Sequence, residues 1–171
     1  MKYRMKRHAV VQPLDQSYKI IPLTKGQNAL VDAEDFERLS AFNWSAHWNP
    51  HTKSYYAMSA RKCKSIYMHR EILGCNAREN GDHFSHDTLD NRKQNLRKCN
   101  DQQNNFNHRK RKDNTSGFKG VHLRDGKWRS RIFVNGQWRC LGYFHSKEAA
   151  AHAYNEAALR MHGEFAHLNA L

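Results

Sequence analysis

The segment FKGVHLRDGKWRSRIFVNGQWRCLGYF (118–144) leaves the chain the least conformational choice. Asp125-Gly126 and Asn135-Gly136 separate three runs of alternating character. Asp-Gly and Asn-Gly at such places select type I′ turns, which need positive φ at both central residues. The segment therefore predicts a three-stranded antiparallel meander. A helix is expected next: Ser146 is suited to its N-cap, Glu148 to the positive end of its dipole, and Gly163 to its C′ position. The small residues Ala150, Ala153 and Ala157, with Tyr154 and Met161, would let that helix lie flat on the sheet. Period-two alternation then divides the middle strand. Trp128, Ser130, Ile132 and Val134 face the helix, and Lys127, Arg129, Arg131 and Phe133 face outward.

Charge gives that outward face a meaning. The 171 residues carry 29 Lys and Arg against 16 Asp and Glu, a net charge of +13. Such a surplus favours a polyanion, either nucleic acid or an acidic membrane surface. No basic amphipathic helix or lipidation motif supports the membrane reading, no apolar run approaches a bilayer span, and the N-terminus lacks a signal-peptide core. A soluble, cytoplasmic protein is expected, with double-stranded DNA as its partner and a monomer as its simplest state. A sheet face lined with Arg and Lys can enter a major groove, where Arg pairs with guanine edges and phosphates. Upstream, the basic run Arg109, Lys110, Arg111 and Lys112 would lie along phosphates.

The residues SGFKGV (116–121), KWRSRI (127–132), LGYF (141–144) and SKEAAAHAYNEAALRMHGEFAHLN (146–169) resemble the plant ethylene-response-factor (Apetala-type) DNA-binding domain. That resemblance implies duplex reading through the sheet and, by position, contacts from Lys119, His122, Arg124, Arg129 and Arg131; Lys127 joins them by strand parity. Arg131 stands where the plant domains have Glu, and Phe133 where they have Arg. Their recognition sequence does not carry over.

Before this zone the chain changes texture twice. Residues 1–65 read as a small β-rich region. YKIIPL and ALVD are strands, Asp32 is placed to cap a helix AEDFERLSAF with Phe36, Leu39 and Phe42 on one face, and NWSAHW and SYYAMSA form a hairpin across NPHTK. Trp44, Trp48, Tyr55 and Tyr56 are expected in its core. The four cysteines form no C-x-x-C pair, which argues for free thiols over structural zinc.

Residues 66–108 contain the chemistry. IYMHREIL reads as a strand–helix junction. GDHFSHDTLDNRKQNLRKCNDQQNN (81–105) then lays out as a strand with Asp82 and His83, a partner strand NLRKC, and a helix DQQNNFN capped by Asn100. Asp82 and the Asn104 amide oxygen are hard ligands suited to Mg²⁺ or Mn²⁺. His83 can take a proton from a water, and Asn95 can accept from its other ring nitrogen. Strand alternation opposes Asp82 and His83, so a twisted or bulged hairpin is needed for both to address one phosphate. Asn91 is assigned to the loop, and Asn105 and Asn107 to the polar surface.

MHR (68–70), DH (82–83), LDN (89–91), NLR (95–97) and QQN (102–104), in that order, resemble the HNH nuclease motif of phage-type homing endonucleases, a ββα-metal fold. The resemblance implies Asp82 and Asn104 as metal ligands, His83 as general base and Asn95 as its positioning partner. It places a glycine after DH where this chain has His86. His69 is read as structural or as a phosphate neighbour.

The expected fold is α+β: the N-terminal β-rich region, the ββα-metal motif at 66–108, a basic linker at 109–116, and a three-stranded antiparallel sheet on one helix at 117–171. The expected function is a sequence-specific, divalent-metal-dependent DNA endonuclease, phage-encoded and acting in a bacterial host. The alternatives are a non-catalytic DNA-binding regulator and, less suited to an Arg-studded sheet, an RNA-binding protein.

Overall fold

The computed structural model describes residues 7–61, 64–110 and 113–171. The chain forms two compact units, Met1–Asn100 and Asp101–Leu171.

The first unit begins with an antiparallel pair, β1 (Tyr18–Pro22) and β2 (Asn28–Asp32), closed by a turn in which Leu23 N–H donates to the Gln27 carbonyl at 2.8 Å. Helix α1 (Ala33–Ser40) follows. Asp32 holds the N-cap position, yet its carboxylate makes no cap bond. It accepts instead from Lys93 N–H at 2.7 Å, a distant backbone donor that outcompetes the local one. The strands β3 (Ser45–Asn49), β4 (Ser54–Arg61) and β5 (Lys64–Tyr67) form an antiparallel sheet in that order. Chain continues from β5 directly into α2 (Met68–Leu73), which ends at Gly74 in the left-handed region, where a glycine carries no Cβ penalty. A second two-stranded ladder joins β6 (Asn80–His83) to β7 (Leu96–Cys99).

These pieces share one core of Ile21, Leu23, Ala29, Val31, Leu39, Trp44, Ala46, Ala57 and Met68, with Phe36 and Phe42 packed against it. Trp44 is fully buried and donates its indole N–H to the Leu39 carbonyl at 2.8 Å. Trp48, expected inside, is 43% exposed. Its ring stands edge-on to Tyr55 at 4.9 Å between centroids, and Trp44 alone of the two enters the core.

The second unit starts with α3 (Asp101–Phe106) and continues with β8 (Val121–Arg124), β9 (Lys127–Val134), β10 (Gln137–Phe144) and α4 (Lys147–His162). The three strands are antiparallel in the order β10-β9-β8. Asp125 and Gly126 have φ of 52° and 74°, and Asn135 and Gly136 have 51° and 76°, as both I′ turns require. Ser146 caps α4, its side chain accepting from Ala149 N–H at 3.1 Å. The helix buries Ala150, Ala151, Tyr154, Ala157 and Ala158. This differs from the expected face at Ala153, which is only half-buried: a 3.6-residue period places 150, 151, 154, 157 and 158 on one stripe. The stripe packs on Val121 and Ile132, and Trp128 and Phe144 close the edge. The mixed α+β architecture and the C-terminal sheet on its helix are thus as the sequence predicts.

Candidate active site and nucleic-acid face

His83 ends β6 and is 4% exposed. Its ring stands edge-on to His69 with centroids 4.8 Å apart and lies 6.0 Å from Tyr56. Local sequence makes this packing possible. His69 projects from the first turn of α2, and a Cβ on Gly81 would fall 2.6 Å from its Cδ2, so β6 needs a glycine there. His83 Nε2 lies 3.3 Å from Asn91 Oδ1. The Asn91 amide nitrogen donates to the Leu89 carbonyl at 3.0 Å, which turns its oxygen toward the imidazole. An amide oxygen only accepts, so the tautomer that bonds Asn91 carries its proton on Nε2. Burial holds the His83 pKa below that of an ordinary histidine, against opposing contributions from Asn91, Asp82, Asp87 and Asp90. The imidazole is therefore neutral at pH 7, the form that accepts a proton.

Asp82 is also buried. Its Oδ2 accepts from Arg97 Nε at 2.9 Å and Nη2 at 2.8 Å, a pair formed across the ladder by register partners. The β6–β7 register runs from Asn80↔Cys99 to His83↔Leu96 without a shift. The bulge expected between Asp82 and His83 is therefore not there: Asp82 meets Arg97, while His83 meets Asn91, His69 and Tyr56.

The loop between the strands is held by side chains. His86 has φ of 64°, the left-handed conformation for which the HNH resemblance supplies a glycine, and its N–H donates to the His83 carbonyl at 3.1 Å. Asn95, expected on the His83 ring, does other work. Its Oδ1 accepts from Ser85 N–H at 2.9 Å, and its Nδ2 donates to the carbonyls of Asp90 at 2.8 Å and Asp87 at 3.2 Å. Asn95 ties the two ends of the loop together, and Asn91 takes the imidazole. Asp90 is chelated by Arg92 (Nε 2.8 Å, Nη2 2.7 Å); burial raises its pKa, but the Arg92 bonds outweigh that and hold it low.

The N-terminal strands support this loop. Leu30 N–H donates to the Leu89 carbonyl at 2.9 Å and Asn91 N–H to the Leu30 carbonyl at 2.8 Å, while Thr88 Oγ1 donates to the Tyr55 carbonyl at 2.6 Å. Asn91, Tyr56 and the Leu30 backbone escaped the sequence reading. Only the LDN motif hinted at the first. Asn104 lies half-buried on α3 in the second unit, and Asn107 is 4% exposed, not surface as expected.

In the second unit, register partners confirm which side chains share the face away from α4. His122 pairs with Arg129, Arg124 with Lys127, Arg131 with Cys140 and Phe133 with Trp138. The Arg131 guanidinium lies 4.2 Å from the Trp138 ring centroid. Burial, with Arg131 and Arg129 nearby, holds the His122 pKa low. Lys119, expected on this face, is turned inward, its ammonium donating to the Phe106 and His108 carbonyls. In the basic stretch, Arg109 is exposed and Lys110 Nζ donates to the Gly117 carbonyl at 2.7 Å; Arg111 and Lys112, like Cys63, lie outside the described residues. Cys75 and Cys140 are free thiols.

A buried neutral histidine, held by an amide, thus stands at the head of a braced polar loop. The chain is 35% identical over 86 residues to an uncharacterized HNH endonuclease of Acanthamoeba polyphaga mimivirus, a match that covers 50% of this chain and 44% of that protein. The chain thus spans less than half the length of the curated relative it matches. No family model and no solved structure matches. The similarity supports an HNH-type nuclease segment, and that relative is a giant-virus protein. Among the described residues no helix is long and apolar enough to cross a membrane.

Proposed function

We propose that the protein is a sequence-specific DNA endonuclease that depends on a divalent metal, with the duplex read by the outward face of the C-terminal sheet. The observation that carries the reading is His83, buried, neutral and held by Asn91. In this role Nδ1 takes the proton of an attacking water. Asn91 holds the ring, and Asn95 keeps the loop that carries Asn91 in place.

The donors suit a hard ion. The Asp82 carboxylate and, on the HNH resemblance, the Asn104 amide oxygen are oxygen ligands of the kind Mg²⁺ or Mn²⁺ prefers, with water and phosphate completing the shell. When bound, the ion neutralises charge on the phosphate and the leaving oxygen.

Arg129, Arg131, Arg124, Lys127 and His122 supply the DNA contacts, with Arg109 to Lys112 along the backbone. One observation favours a second reading, a DNA-binding regulator without cleavage: Asp82 is already engaged by Arg97.

Incubation of duplex DNA with the protein and Mg²⁺ decides between them. Wild type cuts, EDTA abolishes cutting, and His83→Ala lowers the rate by about 10²–10⁴ while binding persists. Equal rates in wild type and His83→Ala would remove the mechanism. Binding with no Mg²⁺-dependent cutting would establish the regulator.

A further inference from the structure

We propose that Lys119 is a positioning residue that clamps α3 within the C-terminal unit and so sets the helix bearing Asn104. The role of Asn104 rests on the nuclease reading above; the clamp rests on geometry alone.

The base of the lysine is immobile. Lys119 N–H donates to Asn169 Oδ1 at 2.6 Å, and its carbonyl accepts from Asn169 Nδ2 at 3.1 Å. Asn169 is in turn tied to Asn155 of α4, through its N–H to Asn155 Oδ1 at 2.8 Å and its carbonyl to Asn155 Nδ2 at 3.0 Å. The next residue, Gly120, has φ of 78° and lies so close to Tyr154 that a Cβ would fall 2.1 Å from the ring. Backbone at this point cannot slide.

From that fixed point the side chain reaches α3. Its ammonium donates to the Phe106 carbonyl at 2.6 Å and the His108 carbonyl at 2.7 Å. Carbonyls at a helix C-terminus have no intrahelical donor and carry the negative end of the dipole, so a cation there satisfies both. Phe106 adds a second tether. Its ring stacks on His162 at 3.6 Å between centroids with planes 10° apart, and His162 Nε2 bonds the Phe133 carbonyl at 2.9 Å. Six residues are too few for a helix to persist alone in water, so tertiary contacts decide where α3 stands. Burial pulls the Lys119 pKa down to about 8. An ammonium kept for phosphate attraction would stay in solvent; this one gives up hydration for two carbonyls.

Hydrogen exchange of the peptide spanning 101–110, measured on the full chain, tests the clamp. Lys119→Met is expected to speed exchange there at least tenfold while β9 and α4 keep wild-type protection. Cleavage falls at least tenfold, and duplex affinity with its salt slope stays unchanged. Lys119→Arg, which retains the donors, recovers most of the protection. Should Lys119→Met fail to fold, Phe106→Leu removes the stack and is expected to loosen 101–110 in the same way. Unchanged exchange at 101–110 in the folded variants overturns the clamp, as does a salt slope reduced by about one in Lys119→Met, the mark of a lost phosphate contact. Absence of cutting by wild type counts against the nuclease reading and leaves exchange to judge the clamp.

Discussion

His69 is only 7% exposed and has a glycine cut to fit it. Burial pushes its pKa down to about 3, with His83 and Arg70 adding to the effect. The folded protein therefore keeps His69 neutral where the unfolded chain, near 6.5, takes up a proton. Stability from this residue is full above pH 6.5 and is lost as pH falls toward 3, with a slope of up to about 1.4 kcal/mol per pH unit. His83, also held low, acts in the same direction. Urea midpoints at pH 7, 5 and 4 should fall steeply in wild type and less steeply in His69→Gln; equal slopes would show that another group governs acid unfolding. The identities of Asp82, His83 and His69 are visible in the sequence as DH and MHR. Their neighbours are not: that Asn91 rather than Asn95 meets the imidazole depends on how a twelve-residue loop folds back, and both asparagines offer the same chemistry at similar distance along the chain.

Among the elements, the C-terminal sheet was the most legible. Its turns, parity and cap follow from local sterics and from a period of two, so the strands of 118–144 are readable without knowing what they touch. Ser130 is the exception within it. It sits at a helix-facing position and is fully buried, and its hydroxyl has no hydrogen-bond partner among the described residues. Desolvating an unpaired hydroxyl is unfavourable, so Ser130→Ala should raise stability by about 1 kcal/mol, read as a higher thermal midpoint. A lower midpoint would mean that the hydroxyl has found a bond. Helix α1 shows the opposite case. Its N-cap aspartate looked committed by position, but the carboxylate serves Lys93 across 61 residues.

At the scale of the whole molecule, the proposed function and a net charge of +13 predict the salt dependence of DNA binding. The logarithm of the duplex affinity should fall linearly with log salt, and Arg129→Ala should reduce that slope by about one if the side chain meets phosphate. A loss confined to one target sequence would identify a base contact instead. Fluorescence titrations from 50 to 300 mM salt separate these outcomes.

By itself the sequence determined the secondary elements, the basic face of the sheet and the candidate chemistry of Asp82 and His83, because turns, alternation and residue type are local properties. Only the tertiary structure decided that the N-terminal strands brace the loop after His83, that Asn91 orients the imidazole, and that Lys119 turns inward to α3. Each of these joins residues far apart in the chain, and such contacts follow from where buried donors find acceptors once the cores have closed.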